Sequence, residues 1–339
     1  MSPSRFGKAA AAALSALTVA AVAYLAIAAA SPVPKNTLLQ AAERPSPPPS
    51  ALAAPSPEKS KPAAAPPGST LRVATWNVRD CAAWDASRKE RVALHDYVAG
   101  TIKAAAADVI VLEEIQADGS KGGDIALLSV ALARAGWAMP YVAVVDAKGE
   151  DDLAVFSRRS IDRQGPILEP GAKGAWPRPG IFVSVEAGSR KLDVYGFHFK
   201  AMGDAKSVSA RKAQAEALGE YLRATYGTGL AEAPIVVAGD FNTATDADLG
   251  EKGSTLSELR LAEDGEPAND FTALNDRFKR SEPTFVDSRY ASVLDHILVS
   301  PVLAKGLDSG SVEVIPPVPG PGKIPTSDHR IVVATVTLP

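Results

Sequence analysis

The stretch that most constrains this chain is PIVVAGDFN, residues 234–242. Its four consecutive apolar residues, three of them β-branched, predict a buried strand. Gly239 then predicts a sharp turn of the backbone, and the period of two in a strand places Asp240 and Asn242 on one face, with Phe241 on the other. Polar side chains at the end of a buried strand are typical of α/β enzyme sites. A strand followed by an Asx turn is the structural alternative.

Charge and cysteine content narrow the classes of function. The chain has 339 residues and a net charge of −3. Residues 1–70 contain six Lys/Arg and two Asp/Glu, so their net charge is +4 and that of the remaining residues is −7. This balance argues against a broad basic surface for nucleic acid, although clustered metal-binding carboxylates would produce the same sum. Cys81 is the single cysteine, which excludes an internal disulfide. We expect it to be a small buried apolar side chain rather than a reactive thiol.

The N-terminal segment, residues 1–30, has the pattern of an export signal. Arg5 and Lys8 precede 22 uncharged, alanine-rich residues at positions 9–30, and Ala28-Ala29-Ala30 is a candidate cleavage site. The apolar run is also long enough to span a bilayer, so an uncleaved N-terminal membrane anchor is the alternative. In either case we expect the rest of the chain outside the cytoplasm, as a periplasmic or extracellular protein.

Residues 31–70 separate this segment from the folded domain. They contain 11 of the 27 prolines and no aromatic residue, so they lack the apolar surface needed for a packed core and are expected to form an extended linker. The domain is therefore predicted over residues 71–339.

Within this domain, periodicity predicts ten strands and three long helices. The first candidate helix begins after Ser87 and has an apolar stripe that includes Leu94, Val98 and Ile102. The other two lie near residues 124–135 and 207–226, and the polar stretch 246–290 is expected to be a long loop region. The candidate strands are residues 71–78, 108–115, 141–147, 152–158, 181–187, 191–200, 234–242, 292–300, 311–316 and 330–338. Ten strands exceed what one twisted sheet holds comfortably, so two packed sheets with outer helices are predicted.

Polar residues recur at the ends of these strands. They are Asn77, Glu113, Glu114, His198, Asp295, His296, Asp328 and His329. One such residue is more often a satisfied structural group than a catalytic one, but this set includes three of the four histidines of the chain. Together with Asp240 and Asn242, it indicates a shared site.

Six short segments together resemble the endonuclease/exonuclease/phosphatase superfamily, which contains DNase I, exonuclease III, sphingomyelinases and inositol-phosphate phosphatases. They are Thr75-Trp76-Asn77, Leu112-Glu113-Glu114, Phe197-His198-Phe199-Lys200, Gly239-Asp240-Phe241-Asn242, Leu294-Asp295-His296-Ile297 and Ser327-Asp328-His329. The resemblance covers residues 71–339, is specific for the superfamily but not for a substrate, and is strongest to secreted bacterial nucleases. It implies a four-layer α/β sandwich, with two packed central β-sheets flanked by helices and the site at one end.

The resemblance also implies a metal site. Glu114 resembles the principal Mg²⁺ ligand of the superfamily, with Mn²⁺ as an alternative ion, and a hard dication requires such an anionic oxygen. Asn77 and Asp328 would complete the surroundings of the metal and the phosphate. Glu113 stands where relatives usually have Gln, so a slightly more anionic site is expected. The period of two allows only one of the two adjacent glutamates to face the site.

The same resemblance implies catalytic roles. His329 would be the general base or a phosphate-contacting imidazole, oriented by Asp295. Asp240 would orient the attacking water, and Asn242 would donate to a phosphate oxygen. His198 resembles the second catalytic histidine of the DNase-like members.

Further residues near this set are assigned with open alternatives. Glu150 is the candidate carboxylate partner of His198, in competition with Asp151 and Asp152. Lys200 and Arg178 are candidate phosphate contacts, or alternatively ordinary surface cations. His296 is interpreted as a packing residue.

These parts predict one-step hydrolysis in which water attacks phosphorus in line, without a covalent nucleophile. The predicted function is a secreted, metal-dependent phosphodiesterase, chiefly an endonuclease acting on DNA, or on RNA, as a monomer. The alternative is a sphingomyelinase-like hydrolase of a phospholipid headgroup or another small phosphoester. A catalytically silent binding module would require the loss of a core group, and none of the core groups is missing from the sequence.

Overall fold

The computed structural model describes residues 70–79, 81, 88–116, 123–147, 151–167, 178–320 and 326–339. The predicted export signal or membrane anchor and all but the last residue of the predicted linker therefore lie outside the described residues. Within the described part of the chain, no helix is both long and apolar enough to cross a membrane.

Fourteen strands are present in the described part of the chain. They are β1 Thr70–Asn77, β2 Val109–Ile115, β3 Tyr141–Val145, β4 Asp152–Ser157, β5 Ile161–Ile167, β6 Gly180–Ala187, β7 Arg190–His198, β8 Ile235–Asp240, β9 Thr272–Ala273, β10 Phe285–Val286, β11 Ala291–Ser292, β12 Asp295–Val299, β13 Val312–Ile315 and β14 Ile331–Thr337. Two six-stranded sheets are formed, in the orders β13-β14-β1-β2-β4-β3 and β5-β6-β7-β8-β12-β9, while β10 and β11 form a separate pair.

Seven helices accompany the sheets among the described residues. They are α1 Arg88–Ala104, α2 Asp124–Arg134, α3 Ala205–Tyr226, α4 Asp246–Leu249, α5 Thr255–Leu259, α6 Leu274–Lys279 and α7 Pro301–Ala304. Helix α3 begins before its predicted start because the side chain of Asp204 accepts hydrogen bonds from the amides of Lys206 and Ser207, which satisfies the N–H groups of the first turn.

Three apolar clusters bind the layers together. The largest lies between the two sheets and is made chiefly of valine, with Val111, Val236 and Ile297 among its members. The second packs α1 and α2 against the first sheet, and the third packs α3 and α5 against the second sheet. The order is therefore helices, sheet, sheet, helices, which confirms the predicted four-layer α/β sandwich.

Each sheet contains one parallel pair, and these two pairs position the site. β1 runs parallel to β2, and β7 runs parallel to β8. Helix α1 connects the first pair and α3 connects the second, as parallel neighbours require. Since parallel strands end at the same edge of a sheet, Asn77, Glu113, His198 and Asp240 are all brought to one end of the sandwich.

Gly239 has a different role from the predicted turn. It lies inside β8, where a Cβ atom would lie 2.0 Å from the carbonyl oxygen of Phe197 on the neighbouring strand. Glycine is required because the two backbones approach closely, and the strand continues to Asp240. The predicted alternation is kept: Phe241 packs into the helix-side cluster, and Asp240 and Asn242 line the opposite, cleft side.

One prediction about secondary structure was wrong, and one strand of a central sheet was not predicted. The stretch 246–290 is not a long loop, because it contains α4, α5 and α6 as well as β9 and β10. These elements are too short for a hydrophobic period to be visible in the sequence. Strand β5 was also not predicted, because it is the polar edge strand of its sheet and contains Asp162, Arg163 and Pro166, as edge strands often do.

A buried ion pair connects α3 to α4, and the same arginine holds the segment after β7. The guanidinium of Arg211 donates to both carboxylate oxygens of Asp248, at 2.9 and 2.7 Å, and both side chains are inaccessible to solvent. Arg211 also donates to the carbonyl oxygens of Lys200 and Met202, at 2.8 and 2.6 Å. It therefore holds the segment that leads away from His198.

We predict that Asp248→Asn lowers the free energy of unfolding by about 3–5 kcal/mol, because it leaves the Arg211 charge buried and unpaired. The matched control is Lys212→Ala on the same helix, whose exposed ion pairs at 3.9 and 3.8 Å are expected to contribute about 0–1 kcal/mol. Urea unfolding at neutral pH measures both.

The difference between wild type and Asp248→Asn is also expected to depend on pH. Burial opposes ionisation of Asp248, but the hydrogen bonds from Arg211, Thr255 and Thr245 outweigh it and lower its pKa. A carboxyl with a lowered folded-state pKa stabilises the fold above its ordinary pKa, and the contribution is lost as the pH falls through the lowered value. A difference in stability that stays constant into strong acid would contradict this assignment.

Candidate active site

The strand ends surround a cleft of about 250 Å³ at one end of the sandwich. The cleft combines a polar floor with an apolar rim. Its lining residues are Glu114, His198, Ala201, Met202, Gly203, Asp240, Asn242, Ala244, Phe285, Tyr290, Leu294 and His329. Five of the predicted site residues therefore line one cleft, although they come from four separate parts of the chain.

His329 is held by Asp295. Its Nδ1 lies 3.0 Å from both carboxylate oxygens of Asp295, which is fully buried. Two residues that the sequence did not indicate hold the backbone of Asp295 in turn. The Thr284 hydroxyl accepts the Asp295 amide at 3.0 Å, and the Asn275 amide donates to the Asp295 carbonyl at 2.8 Å. Both lie in the stretch predicted as a loop, where no local signal marks them.

Asp240 occupies the centre of the site. Its Oδ2 accepts a hydrogen bond from Asn77 Nδ2 at 3.0 Å, and it lies 3.7 Å from His198 Nε2 and 3.8 Å from His329 Nε2. Its Oδ1 accepts the backbone amide of Asn242 at 2.9 Å. One carboxylate thus faces both imidazoles and the amide of Asn77.

Asp240 and His329 form a coupled acid–base pair. Burial raises the pKa of Asp240 to about 7, partly offset by His329. Burial by itself would lower the pKa of His329, but the carboxylates of Asp295 and Asp240 outweigh this effect and raise the pKa of His329 to about 10. The protons of such a pair belong to both groups together, and the pair holds at least one proton near neutral pH.

Glu114 reaches the cleft because the strand is irregular there. Its backbone has φ 53°, and the pairing of β2 with β4 shifts register between Glu113 and Ile115, as at a β-bulge. The bulge turns the carboxylate toward Asn77, whose Nδ2 donates to Glu114 Oε1 at 2.8 Å.

Glu113, in contrast, lies beneath the site. It is fully buried on the side of β2 that faces the other sheet, and its Oε1 accepts the Thr75 hydroxyl at 2.6 Å. Burial raises the pKa of Glu113 well above its ordinary value, and the nearby carboxylates of Asp295 and Asp240 act in the same direction. The neutral carboxyl is favoured, so the expectation of a more anionic site is not upheld. A neutral Glu has nearly the shape of the Gln expected at this position.

The donor set at the cleft fits a hard divalent cation. Ligand atoms of Glu114, Asp151 and His198 all lie within 4.8 Å of one another, and carboxylate oxygens are the ligands that Mg²⁺ prefers. The Glu114 side chain is 26% exposed, which leaves room for the water ligands that Mg²⁺ retains.

The other two predicted metal residues, Asn77 and Asp328, lie beside this set, but their polar atoms contact protein side chains and backbone. Asn77 uses its Nδ2 on Glu114 and Asp240, while its Oδ1 accepts the amide of Arg79 at 3.0 Å. Asp328 forms an ion pair with Arg79 at 3.1 Å. The structure therefore places Asn77 in the position of a group that orients the two carboxylates.

His198 is buried, and burial lowers its pKa well below the ordinary value, with Arg178 acting in the same direction. Its Nε2 faces Glu114 and Asp240, each at 3.7 Å, while Nδ1 has no hydrogen-bond partner among the described residues. The predicted partner, Glu150, lies outside them.

Three remaining predicted residues differ in their relation to the cleft. Arg178 is 13% exposed and donates to Asp151 at 2.9 Å, close enough to influence His198. The Lys200 side chain is exposed and does not line the cleft in the described part of the chain. His296 is fully buried on the opposite face of β12, where its Nε2 lies 2.8 Å from the Thr243 hydroxyl, in agreement with a packing role.

Comparison with known proteins identifies one family and several solved structures of similar fold. A family model described as the Endonuclease/Exonuclease/phosphatase family matches residues 74–329, and a search of curated proteins finds no match. Among solved structures, an endonuclease/exonuclease/phosphatase from Beutenbergia cavernae DSM 12333 has 23% identity and a TM-score of 0.52, with 79% of this chain and 72% of that chain covered.

Two further structures match at similar levels. The human Nocturnin catalytic domain with bound sulfate has 17% identity and a TM-score of 0.54, with coverage of 80% and 94%. TDP2 from D. rerio, complexed with a single-strand DNA product, has 16% identity and a TM-score of 0.53, with coverage of 79% and 99%. At these identities the likeness establishes the fold.

The adjacent glutamates provide a matched pair of substitutions. We predict that Glu113→Gln keeps phosphodiesterase activity within about tenfold of wild type, because Gln replaces a neutral, buried carboxyl of the same shape. Glu114→Gln removes the carboxylate that is expected to bind the metal and should lower activity by on the order of 10²-fold or more. Equal losses in the two variants would contradict the distinction between them, and circular dichroism checks that both are folded.

Proposed function

This chain belongs to the Endonuclease/Exonuclease/phosphatase family, and from that premise we propose that it is an exported, divalent-metal-dependent endonuclease that hydrolyses DNA. The family places it among phosphoesterases. The observation that carries the proposal is the convergence of the Asp295–His329 pair, Asp240 and Glu114 on one cleft. The predicted signal in residues 1–30 supports export, and N-terminal sequencing of the exported protein would distinguish cleavage from a retained anchor.

The proposed reaction is a single in-line displacement at phosphorus. The Asp240–His329 pair accepts a proton from the attacking water, and its coupled titration keeps this exchange near neutral pH. Asp295 holds the imidazole of His329 in one orientation. Asn242 and His198 line the same cleft and are assigned to the phosphate oxygens.

The metal-binding residues complete this arrangement. Glu114, with Asp151 and His198 nearby, would hold the cation. Asn77 would keep the carboxylates of Glu114 and Asp240 in fixed positions relative to each other. When bound, Mg²⁺ supplies charge stabilisation for the phosphate oxygens and the leaving group. Mn²⁺ suits the same oxygen ligands.

The rim of the cleft supports a nucleic-acid substrate. Met202 and Tyr290 are 69% and 53% exposed, and Tyr290 packs against Phe285 with ring centroids 5.4 Å apart. Phe285 in turn contacts the ring of His329 edge-on. An exposed aromatic ring beside the reacting phosphate is a stacking surface for a nucleobase, and such stacking contributes about 1–3 kcal/mol per base.

The same region gives less support to the lipid alternative. A lipase-like approach to a membrane would require a group of exposed apolar side chains. Phe271 is 1% exposed and Phe278 packs against the core between the sheets, so two of the four aromatic residues in 246–290 point inward. The D. rerio TDP2 structure holds a single-strand DNA product, and this fold is therefore compatible with DNA.

We predict that the purified protein cleaves plasmid DNA in Mg²⁺ or Mn²⁺ and that EDTA abolishes the cleavage. DNA, RNA, sphingomyelin and bis(p-nitrophenyl) phosphate are compared in one assay panel. Activity in EDTA would exclude the metal-dependent mechanism. Hydrolysis of sphingomyelin without cleavage of DNA would exclude DNA as the substrate. Because the phosphate backbone is expected to bind chiefly through Mg²⁺, cleavage should weaken as salt is raised.

We also predict that His329→Ala lowers kcat by about 10²–10⁴-fold, the usual contribution of a general acid–base group. Asp295→Asn should give a smaller loss, because the imidazole remains but its orientation is less well held. Steady-state kinetics on DNA measures both variants. A loss below tenfold in His329→Ala would remove this residue from proton transfer.

A further inference from the structure

A second group of metal-binding side chains lies in a different layer, between the first sheet and its helices. Cys81 follows β1, His95 lies in α1, and Asp124 is the first residue of α2. All three side chains are fully buried. The imidazole Nε2 of His95 lies 2.9 Å from Asp124 Oδ1, and one ligand atom from each residue lies within 4.8 Å of the other two.

We propose that Cys81, His95 and Asp124 form a structural site for a zinc-class transition-metal ion. The set contains one thiolate, one imidazole and one carboxylate, which are the ligand types that Zn²⁺ uses in proteins. Zn²⁺ binds sulfur at about 2.3 Å and nitrogen or oxygen at about 2.0–2.2 Å in a tetrahedron. Ligands at such distances are separated by less than 4.8 Å, so the three residues supply three of its four positions.

The ligand charges would match a dication at this position. On binding, the Cys81 thiol would lose its proton, and the resulting thiolate and the Asp124 carboxylate would together balance two positive charges within the buried cluster. The ligand types also distinguish this site from the cleft. Mg²⁺ prefers oxygen ligands and binds sulfur poorly, so the two sites would select different metals.

Full burial of Cys81 also prevents a substrate from reaching the thiol.

The site would have a structural effect on the active site. The second carboxylate oxygen of Asp124 accepts the backbone amide of Gln116 at 3.1 Å, and the Asp124 amide donates to the Gln116 carbonyl at 3.1 Å. Gln116 lies two residues after Glu114, at the end of β2. An ion held by Asp124 would therefore fix the strand end that carries Glu114, and its bonds to Cys81 and His95 would link Cys81 to α1.

Cobalt provides a specific test because Cys81 is the only cysteine in the chain. A cobalt–thiolate bond has a near-ultraviolet charge-transfer band, so any such band reports this site alone. The full-length protein is titrated with Co²⁺ both in the folded state and during refolding from urea. We expect a band that saturates near one equivalent, is lost in Cys81→Ser, and is weakened at least tenfold in affinity by His95→Asn.

The control is Glu114→Gln, which alters the cleft but is expected to keep the band unchanged. Zn²⁺ should displace Co²⁺, remove the band and raise the urea midpoint of wild type but not that of Cys81→Ser. Absence of a band after refolding with Co²⁺ would overturn the proposal and leave Cys81 as an apolar core residue beside a His95–Asp124 hydrogen bond. A band that persists in Cys81→Ser would also overturn it.

Discussion

The rest of the site depends on one buried carboxylate, that of Asp240 at the end of β8. A buried anion is costly unless hydrogen bonds and nearby cations compensate it. Asp240 meets this requirement by accepting from Asn77 of the opposite sheet and by facing His198 and His329. The hydrogen bond to Asn77 joins the carboxyl ends of two strands from different sheets. This contact therefore links the geometry of the site to the packing of the two sheets, which the apolar cluster between them provides.

The backbone contributes in a second way, through residues held outside the usual strand conformation. Glu114 and Asn242 both have positive φ, at 53° and 52°. Such positions cost about 1–3 kcal/mol each and persist only where the surroundings hold them, although Asn tolerates this region better than Glu. In both cases the departure from the strand turns a polar side chain toward the cleft. The site is thus built where regular pairing ends.

Much of the fold followed from local pattern. The long strands and α1, α2 and α3 were predicted within a few residues, because each has a clear hydrophobic period. The strand β5 and the short helices of 246–290 were not, since an edge strand is polar and a one-turn helix shows no period. Thr284 and Asn275, which hold the backbone of Asp295, lie in that stretch. Their importance comes only from partners distant in the chain.

The cluster of Cys81, His95 and Asp124 illustrates the same limit. A single cysteine predicted only a small apolar side chain, and that interpretation was reasonable for the residue taken alone. Its neighbours come from α1 and from the start of α2, and no local spacing connects them. Their meeting is a property of how the helices pack on the first sheet.

By itself, the sequence determined which strands are buried and which chemical groups stand at their ends, because burial and alternation are properties of neighbouring residues. Only the tertiary structure decided what each group does. Glu113 and Glu114 are adjacent and chemically identical, yet burial beneath the site favours the neutral form of Glu113, whereas Glu114 lines the cleft. A bulge separates their directions, and burial and distant charges set the pKa of each titratable group. Those causes arise from segments that meet only when the two sheets pack.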